Sequence, residues 1–174
     1  MHLTVELHQQ CLVAAGDPTD PEPAQPEGLR KVPHADGGAI HVDGQGTALV
    51  TEETLLNVNR NPRLDRSETE TALKKYLGVH TIVWLGRGVW QDETDGHVDN
   101  LACFVRPGEV LLTWTDDRSD PQYAISADAL DRLRAARDAR GRKLVVHKLP
   151  MPGPLHMTRA EAEGVQVRES THAR

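Results

Sequence analysis

Aromatic side chains are almost missing from this sequence, which has one Phe, two Tyr and three Trp among 174 residues. Any core is therefore aliphatic. With hydrophobic residues at 38% against 26% charged, parts of the chain are expected to pack poorly when alone. Cysteine is scarce as well: Cys11 and Cys103 stand far apart in unlike contexts, which argues against a disulfide framework and a zinc ligand set, and makes a reducing compartment the default. No apolar run approaches the ~20 residues of a membrane-spanning helix, and the N-terminus has no basic segment, apolar core and small-residue cleavage site in succession. A cytoplasmic protein with no membrane attachment is expected. Basic runs are missing too. The net charge is -6 and no Lys/Arg stripe is long enough to follow a phosphate backbone, so a small cationic molecule suits the chain better than nucleic acid.

What the chain does have is the stretch Asp92-Glu93-Thr94-Asp95-Gly96-His97-Val98-Asp99-Asn100, with four carboxylates and one imidazole in nine residues. Behind it, Leu101-Ala102-Cys103-Phe104-Val105 is short and β-prone and reads as a buried strand. The spacing places His97 and Asp99 at the strand entrance, two apart and so on one face. An imidazole that titrates near neutral pH beside a carboxylate that matches a guanidinium fork is suited to acid/base work on a cationic group. The same residues also suit a turn that caps and hydrogen-bonds locally.

Along the chain, residues 1–30 hold a proline-rich acidic segment expected to be disordered, 31–164 form the organised domain, and 165–174 are a tail that stops without a terminating element. Residues 39–43 and 47–51 around Gly44-Gln45-Gly46 predict a β-hairpin. Ser67 is the expected cap of a helix to Leu77, ended by Gly78, with Leu73, Tyr76 and Leu77 on one face, followed by a strand over 80–85. The order then repeats. His97-Val98-Asp99-Asn100 echoes His41-Val42-Asp43-Gly44, the strand 109–114 answers the piece at 54–57, and a helix over 127–139 with Leu130 and Leu133 inward and Gly141 as its stop leads to a strand over 143–150. A short helix capped by Thr158 is expected in the tail. This is an internal ββαβ repeat of roughly 55 to 60 residues, a unit that needs neighbours to bury its faces.

The motifs Gly37-Gly38-Ala39-Ile40-His41-Val42-Asp43-Gly44, Asn57-Val58-Asn59-Arg60-Asn61-Pro62, Asp92 through Gly108, Trp114-Thr115-Asp116-Asp117 and Lys148-Leu149-Pro150-Met151-Pro152-Gly153-Pro154-Leu155 resemble the agmatine deiminases, within the arginine-deiminase-like group of guanidino-modifying enzymes. The resemblance runs over residues 36–164. It implies an α/β fold, a pentein-type propeller of five ββαβ modules of which about two are present. It also implies hydrolysis of agmatine to N-carbamoylputrescine and ammonia through a cysteine thiolate, with no cofactor. The family histidine falls on His97, which would protonate the departing ammonia and then activate water. The guanidinium-binding carboxylate falls on Asp99, Asp95 is a second expected substrate-binding residue, and Asp36 occupies the position of a Glu that supports the histidine.

Three departures stand beside the resemblance. Asp36 is one methylene shorter than the family Glu, residues 1–30 show no counterpart of a second guanidinium-binding Asp, and the Gly-Gly-Gly-Asn-Ile-His-Cys signature that holds the nucleophile is absent. At ~3.3 Å per residue Cys103 is expected about 20 Å from His97 along an extended strand, as a core residue, and Cys11 has nothing to activate it. The chain is thus expected to be inactive alone and to associate through unpaired strand edges or as a homo-oligomer. Two other readings are a non-enzymatic fragment of such an enzyme and a metal-binding module built from the pairs His34/Asp36, His41/Asp43 and His97/Asp99.

Overall fold

The computed structural model describes residues 33–152 and Thr158. The proline-rich flank, Cys11, the helix expected after Thr158 and the tail over 165–174 lie outside the described residues. A 3-10 turn over Gly37–Ala39 leads into β1 (Ile40–Val42), β2 (Thr47–Thr51), α1 (Glu52–Leu55), α2 (Arg66–Leu77) and β3 (Thr81–Leu85). A second series follows: α3 (Val98–Leu101), β4 (Ala102–Arg106), β5 (Glu109–Trp114), α4 (Pro121–Ala135) and β6 (Val145–Pro150). The result is a mixed α/β structure with two three-stranded sheets, ordered β1-β2-β3 and β4-β5-β6. Each sheet pairs a hairpin antiparallel and then receives a parallel strand across a helix.

Local chemistry accounts for most boundaries. The β1–β2 turn closes because Asp43 Oδ1 accepts from the amides of Gln45 at 2.7 Å and Thr47 at 2.9 Å, while Gly44 and Gly46 take φ of +71 and +97. The cap of α2 is Asp65, not Ser67: Asp65 accepts from the Glu68 amide at 2.8 Å and Glu68 reaches back at 3.3 Å, completing a capping box. Gly78 ends the helix in the left-handed region, as its place in the sequence predicts. Tyr76 is exposed rather than sharing the buried face, which is made of Thr69, Ala72 and Leu73. The second long helix starts earlier than expected, at Pro121, because Asp120 caps the Gln122 amide at 2.8 Å and Pro121 is preset for a first helical position. It ends at Ala135. Gly141 instead turns a short link bridged by Arg137 and Lys143.

The repeat is real, but its correspondence differs from the one the His-x-Asp spacing predicts. Thr47 pairs with Thr81 as Glu109 pairs with Val145, so β5 answers β2, β4 answers β1 and β6 answers β3. His41 lies on β1 and His97 lies ahead of α3, so the two histidines are not equivalent.

The core sits between the two units. All five residues of β2 are buried, because each of its faces is covered. Val50 packs with Leu55, Leu73 and Trp84 under α2, while Leu49, Val83 and Leu85 join Ile125, Ala129, Leu130 and Leu133 of α4. Each fully buried Leu contributes about 1.5–3 kcal/mol, so the helix of the second unit adds to the first unit's own helix in stabilising its sheet. Among the described residues no helix is long and apolar enough to cross a membrane.

Candidate functional site

His97 does not open a strand. It precedes α3 as the capping residue, with φ −51 and ψ 143, Asp99 lies in the helix's first turn, and β4 begins only at Ala102. The polar residues ahead of the apolar run decide this: Asp92 accepts from the His97 amide at 3.2 Å and from Asn100 Nδ2 at 3.3 Å, and it also holds the Thr94 hydroxyl. The two-residue period therefore does not apply here. A helical turn nevertheless brings the two side chains to one place. A Cβ built on Gly38 would stand 2.5 Å from His97 Nδ1 and 2.6 Å from Asp99 Oδ2, so both groups lie over the bare backbone of Gly38.

Asp36, just ahead of the 3-10 turn, approaches the other ring nitrogen. Its Oδ2 lies 3.3 Å from His97 Nε2 and 2.7 Å from Arg60 Nη1, and its Oδ1 lies 3.3 Å from His34 Nε2. Distance alone does not make the His97 contact a hydrogen bond. The Nε2 atom is sealed from water and has no aligned partner. Partial burial pushes the Asp36 carboxyl up, but the hydrogen bond and charge of Arg60, with smaller contributions from His34 and His97, hold it below the usual carboxylate value.

Asp95 has a left-handed backbone, with φ 59, and its carboxylate faces Arg60 Nε at 3.9 Å. The loop that carries it is tied down by side chains the sequence reading did not single out. Arg60 Nη2 donates to the Thr94 carbonyl at 2.9 Å, Thr54 Oγ1 to the Asp95 carbonyl at 2.8 Å and Thr51 Oγ1 to the Gly96 carbonyl at 2.6 Å. Three successive carbonyls before His97 are thus each satisfied from the end of β2 and the segment that follows it. Glu53 adds a fourth tie by accepting from the Gly88 amide at 2.7 Å. Arg60 lies within the motif Asn57 through Pro62, which was the only available signal of its importance.

Other expected features fall elsewhere. Cys103 is half-buried on β4 opposite Leu111, on the sheet face away from Ala102 and Phe104, rather than in the core. The 20 Å separation also fails as an argument, because α3 rises only ~1.5 Å per residue where an extended path was assumed. His41 Nδ1 accepts from the Phe104 amide at 3.2 Å, and Asp43 closes its turn. Of the three His-x-Asp pairs, His34/Asp36 and His97/Asp99 meet through Asp36, while His41 and Asp43 are engaged by Phe104 and the β1–β2 turn. Among the described residues no group of three or more His, Cys, Asp or Glu side chains is placed to hold a metal ion. A groove of about 810 Å³ between α1 and α4 is lined by Glu52, Asn57, Asp128 and Arg132. Neither His97 nor Asp99 lines it, so the chemistry of the side chains, not the size of the groove, locates the site.

Solved structures of deiminases resemble this fold. Agmatine deiminase of Enterococcus faecalis is similar with a TM-score of 0.65 and 49% identity, over 68% of this chain and 32% of that one. C. jejuni agmatine deiminase with substrate bound is similar with a TM-score of 0.64 and 31% identity, over 71% of this chain and 36% of that one. The model of the Porphyromonas-type peptidyl-arginine deiminases matches residues 16–170, and the chain belongs to that family. Among curated relatives, agmatine deiminase of Pseudomonas aeruginosa (strain LESB58) is 58% identical over 139 residues, which are 80% of this chain and 38% of that protein. The agmatine deiminase of Stutzerimonas stutzeri is 57% identical over the same share of each. The chain thus spans little more than a third of the length of the curated relatives it matches.

Proposed function

We propose that this chain carries the acid/base and guanidinium-holding part of an agmatine deiminase site. The observation that carries the reading is His97, whose buried Nε2 lacks a hydrogen bond while Asp36 stands 3.3 Å away and Asp99 shares the surface of Gly38. A buried polar atom left unpartnered costs stability and is retained where it has another use. In the proposed reaction a thiolate adds to the guanidinium carbon of agmatine. His97, as imidazolium, gives its proton to the nitrogen that leaves as ammonia. The neutral imidazole then takes a proton from water, whose oxygen adds to the same carbon and expels the thiolate, leaving N-carbamoylputrescine. Asp99 holds the guanidinium nitrogens, Asp95 lines the approach with further negative charge, and Asp36 supports the imidazole.

The thiolate is not Cys103 in this reading: that half-buried residue pairs with Leu111 on the face of β4 away from the buried Ala102 and Phe104, and no contact ties it to His97 among the described residues. The 174-residue polypeptide is therefore proposed to hold a guanidino compound without turning it over. The two ββαβ units are read as about two of the five modules of a pentein-type propeller. Support comes from the face of the second sheet that bears Leu111, Val145, His147 and Leu149. It is equivalent to the Leu49, Val83 and Leu85 face that α4 covers, yet Val145 and Leu149 are 52% and 53% exposed. Such a face suits association with further modules or copies of the chain. Nucleic acid and membrane have no place in this reading, which is of a cytoplasmic protein.

The test is titration of the purified chain with agmatine, and with putrescine as a diamine lacking the guanidinium, while the imidazole resonances of His97 are followed. A saturable response to agmatine alone, lost in Asp99→Asn, is expected. Equal responses to both amines, or a response that survives Asp99→Asn, would refute the assignment.

A further inference from the structure

We propose that Arg60 is a positioning residue that engages the Asp36 carboxylate so that it stands beside His97 without hydrogen-bonding to it, and thereby sets the imidazole's readiness to give up its proton. The inference rests on the acid/base reading of His97 and adds to it a residue and a device.

The geometry is specific. A single oxygen, Asp36 Oδ2, faces two donors: Arg60 Nη1 at 2.7 Å and His97 Nε2 at 3.3 Å. The shorter, charge-assisted bond takes the oxygen, and the imidazole nitrogen is left with no aligned partner. Arg60 itself has little freedom to release its hold. Its side chain is 16% exposed, its second nitrogen donates to the Thr94 carbonyl at 2.9 Å, and Asp95 lies 3.9 Å from its Nε. The planar fork of a guanidinium is what allows one side chain to bind the carboxylate and the loop at once. Because that loop ends at His97, Arg60 fixes the distance between the carboxylate and the imidazole from both sides.

The charged groups around the imidazole are Asp36 and His34 from the segment before the 3-10 turn, Glu53 from α1 against Gly96, Arg60 from the loop after α1, Asp92 and Asp95 from the loop before α3, and Asp99 on α3. Five of these are carboxylates. Arg60 is a permanent cation among them, and losing it both releases Asp36 toward His97 and removes a positive charge. Each effect favours the imidazolium.

The experiment reads the titration of His97 by NMR in the purified 174-residue chain, which does not depend on turnover. Arg60→Met, with folding checked by amide dispersion, is expected to move the His97 midpoint up by about one unit. Arg60→Lys keeps the charge but loses the fork, and is expected to give a smaller rise. The effect of Arg60→Met is expected to shrink by at least half in an Asp36→Asn background, because the coupling runs through that carboxylate. An unchanged midpoint in folded Arg60→Met, or a rise undiminished by Asp36→Asn, would overturn the proposal. If Arg60→Met does not fold, the Arg60→Lys midpoint, alone and with Asp36→Asn, decides by the same criteria. The acid/base reading of His97 fails separately, in the agmatine titration.

Discussion

Gly38 is the floor on which His97 rests: a methyl group at that position would stand 2.5 Å from Nδ1, inside any normal contact. The residue is spared here for room, since its backbone is not in the left-handed region. Gly38→Ala is therefore expected to displace His97 and Asp99, abolish the response to agmatine and cost about 1–3 kcal/mol. Imidazole chemical shifts and urea denaturation measure the two effects. Unmoved His97 resonances would remove Gly38 from the site.

The Thr51 hydroxyl, fully buried at the end of β2, donates to the Gly96 carbonyl and accepts from the Thr54 amide. Thr51→Val keeps the shape and removes both bonds. A loss of about 1–3 kcal/mol is expected, together with faster hydrogen exchange at Gly96 and His97. Stability within a few tenths of the parent would show that the loop does not depend on this tie.

The fold was legible in the sequence where local rules act alone. The Gly44-Gln45-Gly46 hairpin, Gly78 as a helix stop and the alternation of hairpin, helix and strand all follow from turn and cap chemistry. The stretch at His97 was not, because an apolar run directly behind it imposes a strand period by eye while Asp92, five residues earlier, closes a helical turn. Matching the repeats by His-x-Asp misaligned them for a related reason: strand pairing follows burial, and His41 and His97 share a spacing but not an environment. Asp36, His97 and Asp99 were singled out by their residue types and motif, and the structure brings the three together. Thr51, Thr54 and Arg60 were not, since each acts on a backbone carbonyl 34 to 45 residues away and such bonds leave no periodic trace.

Asp138 supplies a pH test of the link between α4 and β6. Burial pushes its carboxyl up, yet hydrogen bonds from the Arg142 backbone and side chain and the Arg140 amide outweigh this and hold it below the usual value of 3.8. A carboxyl depressed in the folded state stabilises fully above its unfolded value and loses that contribution as pH falls through the folded one. Asp138→Asn is expected to lower the melting temperature at pH 7, and the difference from the parent is expected to narrow as acid protonates Asp138. A gap that does not narrow at all on acidification would contradict this.

On the proposed reading, purified chain incubated with agmatine is expected to give no ureido product, before or after Cys103→Ser, because that reading does not assign the thiolate to Cys103. Turnover that depends on Cys103 would show that the β4 thiol reaches the imidazole after all.

The most direct test replaces the matching stretch of the P. aeruginosa agmatine deiminase with residues 33–152 of this chain and measures ammonia and N-carbamoylputrescine from agmatine. The account predicts an active chimera that loses at least about 100-fold in kcat on His97→Ala and fails to saturate with agmatine on Asp99→Asn. A folded chimera that is inactive, or an active one indifferent to His97→Ala, would contradict it.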